Sequence, residues 1–331
     1  MSLHLGFGPD PERARALDRR MHTELGASLS YLREQLAAAP NPALALEAGL
    51  LDAPIAAIRD GHRLGPLTFA TYYDLATALM EADAPAARRA LADLATAETA
   101  APHRVHAPLR APDACPRSAR YVELFSGDGP DDIVLRPLPP ECADAFAGRF
   151  ERGVALMRAA FPQLAGEVDA IVHEVVAIGS DPGKPAQFDG GSHYRLWGAL
   201  LLNADFHPTD AAMVEVIAHE SAHSLLFGLC TEEALVDNDD DDRYASPLRS
   251  DLRPMDGIYH ATFVSARMHL AMSHLLASGL LDDAARDAAV AARDLDRRNF
   301  ESGLSVVARH GLLTPLGREV MAGARRYMAA S

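Results

Sequence analysis

The residues that stand out as a chemical device are His219-Glu220-Ser221-Ala222-His223, an HExxH run. On a helix, residues i and i+4 lie one above the other on one face. Two imidazoles at that spacing can hold one metal ion, with the carboxylate of Glu220 projecting beside them. The local sequence predicts a helix over Asp210 to Leu229, entered through Pro208-Thr209. Its apolar stripe is Val214, Ile217, Ala218 and Leu225, and the two histidines lie off that stripe with Ala212, Glu215 and Leu226. The bland alternative is a buried helix whose histidines only satisfy hydrogen bonds.

A metal needs a third protein ligand. The metzincin pattern places Gly three and His six residues beyond the second ligand. Leu226 and Leu229 stand there instead. A returning helix with Glu is also missing, because no Glu occurs between Ala234 and Phe300, and Glu232 and Glu233 follow His223 too closely. Asp256, His260, His269, His274 and the acidic loop remain. His260 is favoured, since it falls in the first turns of the next long helix. Asp256, one turn earlier on the same face, either orients the His260 ring or is itself the ligand. The latter would give two His and one carboxylate, the facial set of non-haem Fe(II) oxygenases. His269 and His274 read as ordinary packed or surface histidines.

Just ahead of His260 runs Arg243-Tyr244-Ala245-Ser246-Pro247-Leu248-Arg249-Ser250-Asp251-Leu252-Arg253-Pro254. Arg249 and Arg253 flank an acid, and a guanidinium fork suits a carboxylate. They either clamp an anionic ligand or pair with neighbouring Asp residues.

The elements that must position these groups are predicted as a predominantly helical α+β fold. A small antiparallel sheet packs on the HExxH helix, and a long helical bundle closes the chain. Leu17, Met21, Leu25, Leu29, Leu32 and Leu36 recur at helical spacing in an Ala-rich N-terminal part. Further helices are expected at Leu67 to Met80 and Pro85 to Thr99, then a Pro-punctuated connector. Tyr121 to Phe125 and Asp132 to Leu138 read as strands around a Gly127-Asp128-Gly129-Pro130 turn. Glu141 to Ala160 reads as a helix, and Ile171 to Ile178 and Tyr194 to Asn203 as strands. Met255 to Ser278, Asp283 to His310 and Pro315 to Met328 are the closing helices. The composition break divides the chain into a helical region, 1–116, and a catalytic region, 117–331. The first could cap the core, bind a leader peptide or form a homodimer.

The formal net charge of -15, from 46 acids against 31 strong bases, argues against nucleic acid. Hydrophobic residues are 49% of the chain, enough for a sizeable core. Cys115, Cys142 and Cys230 are too few and too scattered for a disulfide framework or a CxxC knuckle. With no signal peptide visible after Met1 and no bilayer-spanning apolar stretch, a cytoplasmic protein without membrane association is expected. The run Asp237 to Asp242 reads either as a solvated loop or as a rim that attracts a basic peptide.

Over roughly residues 120 to 280 the chain resembles the HExxH-type peptide β-hydroxylases, iron- and 2-oxoglutarate-dependent enzymes that modify ribosomally made peptides. The matching runs are Ile217 to Leu226, Arg243 to Pro254, and Gly257-Ile258-Tyr259-His260 with Ala266-Arg267 beyond. Weaker similarity takes in Arg152-Gly153, Gly191-Ser192 and Trp197-Gly198-Ala199. The resemblance implies Fe(II) on His219, His223 and His260, with 2-oxoglutarate held by Arg249 or Arg253, dioxygen as co-reactant and a precursor peptide as substrate. Glu220 then has no water to deprotonate; it would bind the metal's outer shell, orient the target residue or complete a carboxylate ligand set. The competing readings are a zinc-dependent HExxH peptidase, in which Glu220 is the general base, and a peptide-binding module with a lapsed site.

Overall fold

The computed structural model describes residues 6–38, 42–126, 134–180, 188–249 and 251–331. The expected turn at Gly127-Asp128-Gly129-Pro130 lies outside the described residues, as does Ser250.

Helix α1 (Pro11–Ala37) opens the fold. Asp10 caps it by accepting hydrogen bonds from the Glu12 and Arg13 amides, and Pro11 sits where a missing N–H costs nothing. Leu17, Leu25, Leu29 and Leu36 are buried, while Met21 and Leu32 pack at the margin. Then follow α2 (Pro42–Glu47), a 3-10 turn (Ala48–Leu51), α3 (Asp52–Arg59), α4 (Pro66–Met80) and α5 (Ala84–Ala95). The Pro-rich connector contributes a short strand, β1 (Val105–His106).

Beyond it come α6 (Pro116–Ser126), β2 (Leu135–Arg136), α7 (Pro140–Ala160), α8 (Pro162–Ile171), β3 (Glu174–Ser180), β4 (Gly190–Gly191) and β5 (Ala199–Asn203). The chain ends with α9 (Asp210–Leu229), α10 (Met255–Ala277), α11 (Asp283–His310) and α12 (Pro315–Ala330). The fold is a predominantly helical α+β arrangement.

Three expectations are corrected. Tyr121 to Phe125 is helical: Tyr121, Leu124 and Phe125 are buried at i, i+3 and i+4, a helical face that a short apolar run disguises as a strand. Ile171 ends a helix, and only the residues from Glu174 onward enter the sheet. The sheet is mixed, not antiparallel. Its order is β1-β3-β5-β4, with β1 and β5 parallel to β3, β4 antiparallel to β5, and β2 antiparallel to β3. Glu174 pairs with Ala199 and Ile178 with Asn203. The near-continuous apolar run Ala199 to Leu202 is what a parallel strand covered on both faces requires.

That double coverage follows the period of two along each strand. Val175, Ala177, Leu200 and Leu202 enter the main core with α1, α9 and α10. Val176, Ile178, Ala199 and Leu201 enter a second core with Tyr121, Leu124, Phe125 and Phe188. The sheet therefore stands between the motif helix and α6.

The main core runs from Phe7 to Met328 and includes both α1 and α9. Two buried polar clusters tie α1 to the rest. Glu167 of α8 sits between Arg13 of α1, at 3.1 Å, and Arg267 of α10, and all three side chains are almost wholly buried. Asp18 accepts a hydrogen bond from Trp197 Nε1 at 2.9 Å and pairs with Arg63 at 2.7 Å. Gly153 of α7 lets α9 approach closely, since a Cβ there would lie 2.6 Å from Met213. Among the described residues no helix is long and apolar enough to cross a membrane, and the three cysteines are free.

Candidate metal centre

Helix α9 begins where the sequence predicts. The Thr209 side chain accepts a hydrogen bond from the Ala212 amide at 3.1 Å, which satisfies one otherwise orphaned N–H. Most of α9 is buried, packed against α10, α7, α8 and α1. One turn of this fixed helix separates His219 from His223, and their Nε2 atoms face each other at 3.2 Å.

Each histidine is gripped through its other nitrogen. His219 Nδ1 lies 3.3 Å from Met268 Sδ, and His223 Nδ1 lies 2.9 Å from His260 Nδ1. With the Nδ1 protons assigned to these partners, both Nε2 lone pairs point into the gap between the rings. Burial drives the His219 imidazole down to about 4. Burial, reinforced by His219 and His260, holds His223 well below its ordinary value. Neutral imidazoles with converging lone pairs are the donors that a divalent transition metal needs.

Glu220 joins them. One oxygen of its carboxylate and one nitrogen of each histidine all lie within 4.8 Å of one another. The side chain is buried and accepts a hydrogen bond from Ser192 Oγ at 3.1 Å. Burial pushes its carboxyl up to about 8, against the Ser192 hydrogen bond, which lowers it. Gly190 of β4 makes room, because a Cβ there would sit 2.9 Å from Leu202 and 3.2 Å from Glu220 Oε1. The donor set thus fits a metal in number and atom type; the two imidazoles are already neutral, and a bound cation would draw the proton from the Glu220 carboxyl.

His260 is buried on α10 and stacks near His223 with ring centroids 5.2 Å apart. It meets His223 on the nitrogen opposite to the one facing His219. His219, His223 and Glu220 each bring one ligand atom within 4.8 Å of the others, whereas His260 meets only the far nitrogen of His223. Asp256 Oδ1 lies 3.9 Å from His260 Nε2, so the carboxylate faces the ring at longer than hydrogen-bond range.

Arg249 and Arg253 both pair with Asp251, at 2.8 and 3.4 Å. Those pairs hold Asp251 below the usual carboxylate range despite the opposing effect of burial. Tyr244 and Arg253 exchange backbone hydrogen bonds, which closes the segment into a loop. His219, Glu220, His223, His260, Asp256, Arg249 and Arg253 all line one cavity of about 880 Å³, together with Phe125, Phe188 and Phe227.

The other candidates fall elsewhere. His269 hydrogen-bonds Tyr327 at 2.7 Å, and His274 stacks on Phe161 with centroids 3.6 Å apart. Glu233 accepts from the Leu316 amide at the start of α12. The run Asp237 to Asp242 is absent from the described cavity lining. It is fastened to the α11–α12 connection by Asp237 and Asn238. Ser192, which grips Glu220, is signalled only by the weaker Gly191-Ser192 similarity, and Met268, which grips His219, carries no chemical signature that would single it out.

No protein-family model matches the chain, and no curated protein matches it significantly.

Proposed function

We propose that the chain is an Fe(II)- and 2-oxoglutarate-dependent oxygenase that β-hydroxylates a side chain of a ribosomally synthesised peptide. The observation that carries this reading is the meeting, in one cavity, of two neutral histidines, the Glu220 carboxyl group and two arginine forks. A facial set of three ligands leaves positions open for a keto acid and for dioxygen. The resemblance of the Ile217 to Leu226 and Arg243 to Pro254 runs to the peptide β-hydroxylases supports the same reading.

His219, His223 and Glu220 would hold the metal, and His260 would orient the His223 ring. The resemblance assigns the third position to His260 instead; the convergence of Glu220 on the two histidines favours the carboxylate. Iron, 2-oxoglutarate and dioxygen, when bound, supply the oxidising power and the oxygen atom inserted into the C–H bond. The chain's own residues do the rest. Arg249 and Arg253 would receive the distal carboxylate of the keto acid by giving up Asp251. Phe125, Phe188 and Phe227 present apolar surface that limits water beside the metal. Ser192 keeps Glu220 pointed at the histidine pair.

A zinc peptidase is the second reading, and the engagement of both arginines by Asp251 favours it, because a hydrolase needs no free clamp. Glu220 would then be the general base. Fe(II), 2-oxoglutarate and a precursor peptide encoded beside this gene separate the two. A peptide heavier by one oxygen, with succinate formed, is expected. Cleavage without 2-oxoglutarate would instead establish the peptidase.

A further inference from the structure

The cavity lining includes two carboxyl groups that the metal chemistry does not use. Asp296 of α11 is 2% exposed, lines the cavity, and has no hydrogen-bond partner on Oδ2. Buried polar atoms are nearly always satisfied, so an orphaned carboxylate oxygen at a cavity wall points to a missing partner. Glu215 lines the same cavity from α9, one helical turn before His219. Burial pushes Asp296 up to about 9, and Glu215 adds to the rise. Burial raises Glu215 as well, with Asp189 reinforcing the rise and His207 opposing it.

The nearby arginines are engaged elsewhere, and His207, which opposes the rise at Glu215, pairs with Asp189 at 2.7 Å. Arg293 pairs with Asp294, and Arg297 donates to the Met328 and Ser331 carbonyls. Among the described residues no ion pair reaches Asp296 or Glu215. Asn299 adds an amide to the same wall. Two buried carboxyl groups on one cavity wall resist ionising together; a cation set against them restores their charge and is held by it, whereas an anion is repelled. A hydroxyl or amide ligand would satisfy one oxygen without supplying the charge that ionisation of the pair requires.

We propose that Asp296 and Glu215 form a recognition subsite for a cationic side chain of the peptide, a Lys ammonium or an Arg guanidinium. The assignment rests on the reading that a peptide enters this cavity. One turn of α9 rises about 5.4 Å, and an extended peptide spans about 3.3–3.6 Å per residue. The basic residue therefore falls within about two positions of the residue at the metal.

The test uses the full chain and three acetylated, amidated peptides, Gly-Ala-X-Ala-Gly, with X as Lys, Arg or norleucine. Binding is read by calorimetry without turnover. Co(II) uptake, read separately, reports on the metal site, so failure of the subsite and failure of the metal reading give different patterns. The Lys or Arg peptide is expected to bind about tenfold more tightly than the norleucine peptide, the worth of one charge-assisted contact. The preference should shrink to about twofold or less in Asp296→Asn and in Glu215→Gln, with circular dichroism and Co(II) uptake unchanged. Two variants on different helices guard against a folding defect in either. Equal binding of all three peptides, no binding of any, or a preference that survives in both folded variants overturns the proposal.

Discussion

His223 Nδ1 lies 2.9 Å from His260 Nδ1, so a histidine of α10 braces the HExxH pair from behind. Removing such a partner weakens a metal site without abolishing it. His260→Ala is expected to lower metal affinity about 10–100-fold, while His219→Ala and His223→Ala should end measurable uptake. Calorimetric titration with Co(II) checks this. Complete loss of uptake in His260→Ala, with uptake kept in Glu220→Gln, would make His260 the third ligand.

Asp251 occupies both arginine forks, and its exposed pairs are worth at most about 1 kcal/mol. Asp251→Asn should therefore lower the half-saturating 2-oxoglutarate concentration by up to about fivefold. Arg249→Ala or Arg253→Ala should raise it by about tenfold or more, the loss of a charged hydrogen bond. The readout is succinate formed against 2-oxoglutarate added. No change in either arginine variant would remove the clamp.

Glu167 balances two buried arginines, and its loss leaves Arg267 without a counter-charge. Glu167→Ala is expected to cost about 3–5 kcal/mol of stability. Urea midpoints on the two proteins measure it. A difference below about 1 kcal/mol would place the stability of this junction in the surrounding apolar contacts.

Asp18 supplies a pH dependence. Burial opposes its ionisation, but hydrogen bonds and charge from His173, with His22 and Trp197, hold its folded pKa below the ordinary value of 3.8. A depressed carboxylate stabilises the fold fully above its unfolded pKa, and that contribution is lost as pH falls through the folded value. Wild type should therefore lose stability below about pH 4. Asp18→Asn should be weaker at pH 7 by about 1–3 kcal/mol and show less of that acid loss. Parallel urea midpoints between neutral and acid pH in both proteins decide it.

Much of this arrangement is legible in the sequence. The spacing His219 to His223 and the Thr209 cap locate α9 to the residue, because period and capping act locally. Asp283–His310 and the start of α10 at Met255 are equally local. Tyr121 to Phe125 misleads because five residues cannot distinguish a helical stripe from an alternating one. The parallel pairing of β3 with β5 depends on contacts distant in the chain. The site divides in the same way. The types of Arg249, Arg253 and His260 advertise them, and the fold brings them to one cavity. Asp251's hold on both arginines follows from their closeness, yet nothing in the sequence decides between that pairing and a ligand clamp. Asp296 is one acid among several in an Arg- and Asp-rich helix, and only its burial without a partner singles it out.

On the proposed function, His219 and His223 hold iron with open positions for a keto acid. Anaerobic titration of Fe(II)-loaded protein with 2-oxoglutarate tests it most directly. A visible charge-transfer band that saturates at one equivalent, and is absent from His219→Ala, is the predicted result. Protein that takes up Fe(II) but develops no band, while its Zn(II) form cleaves peptides, would contradict the claim.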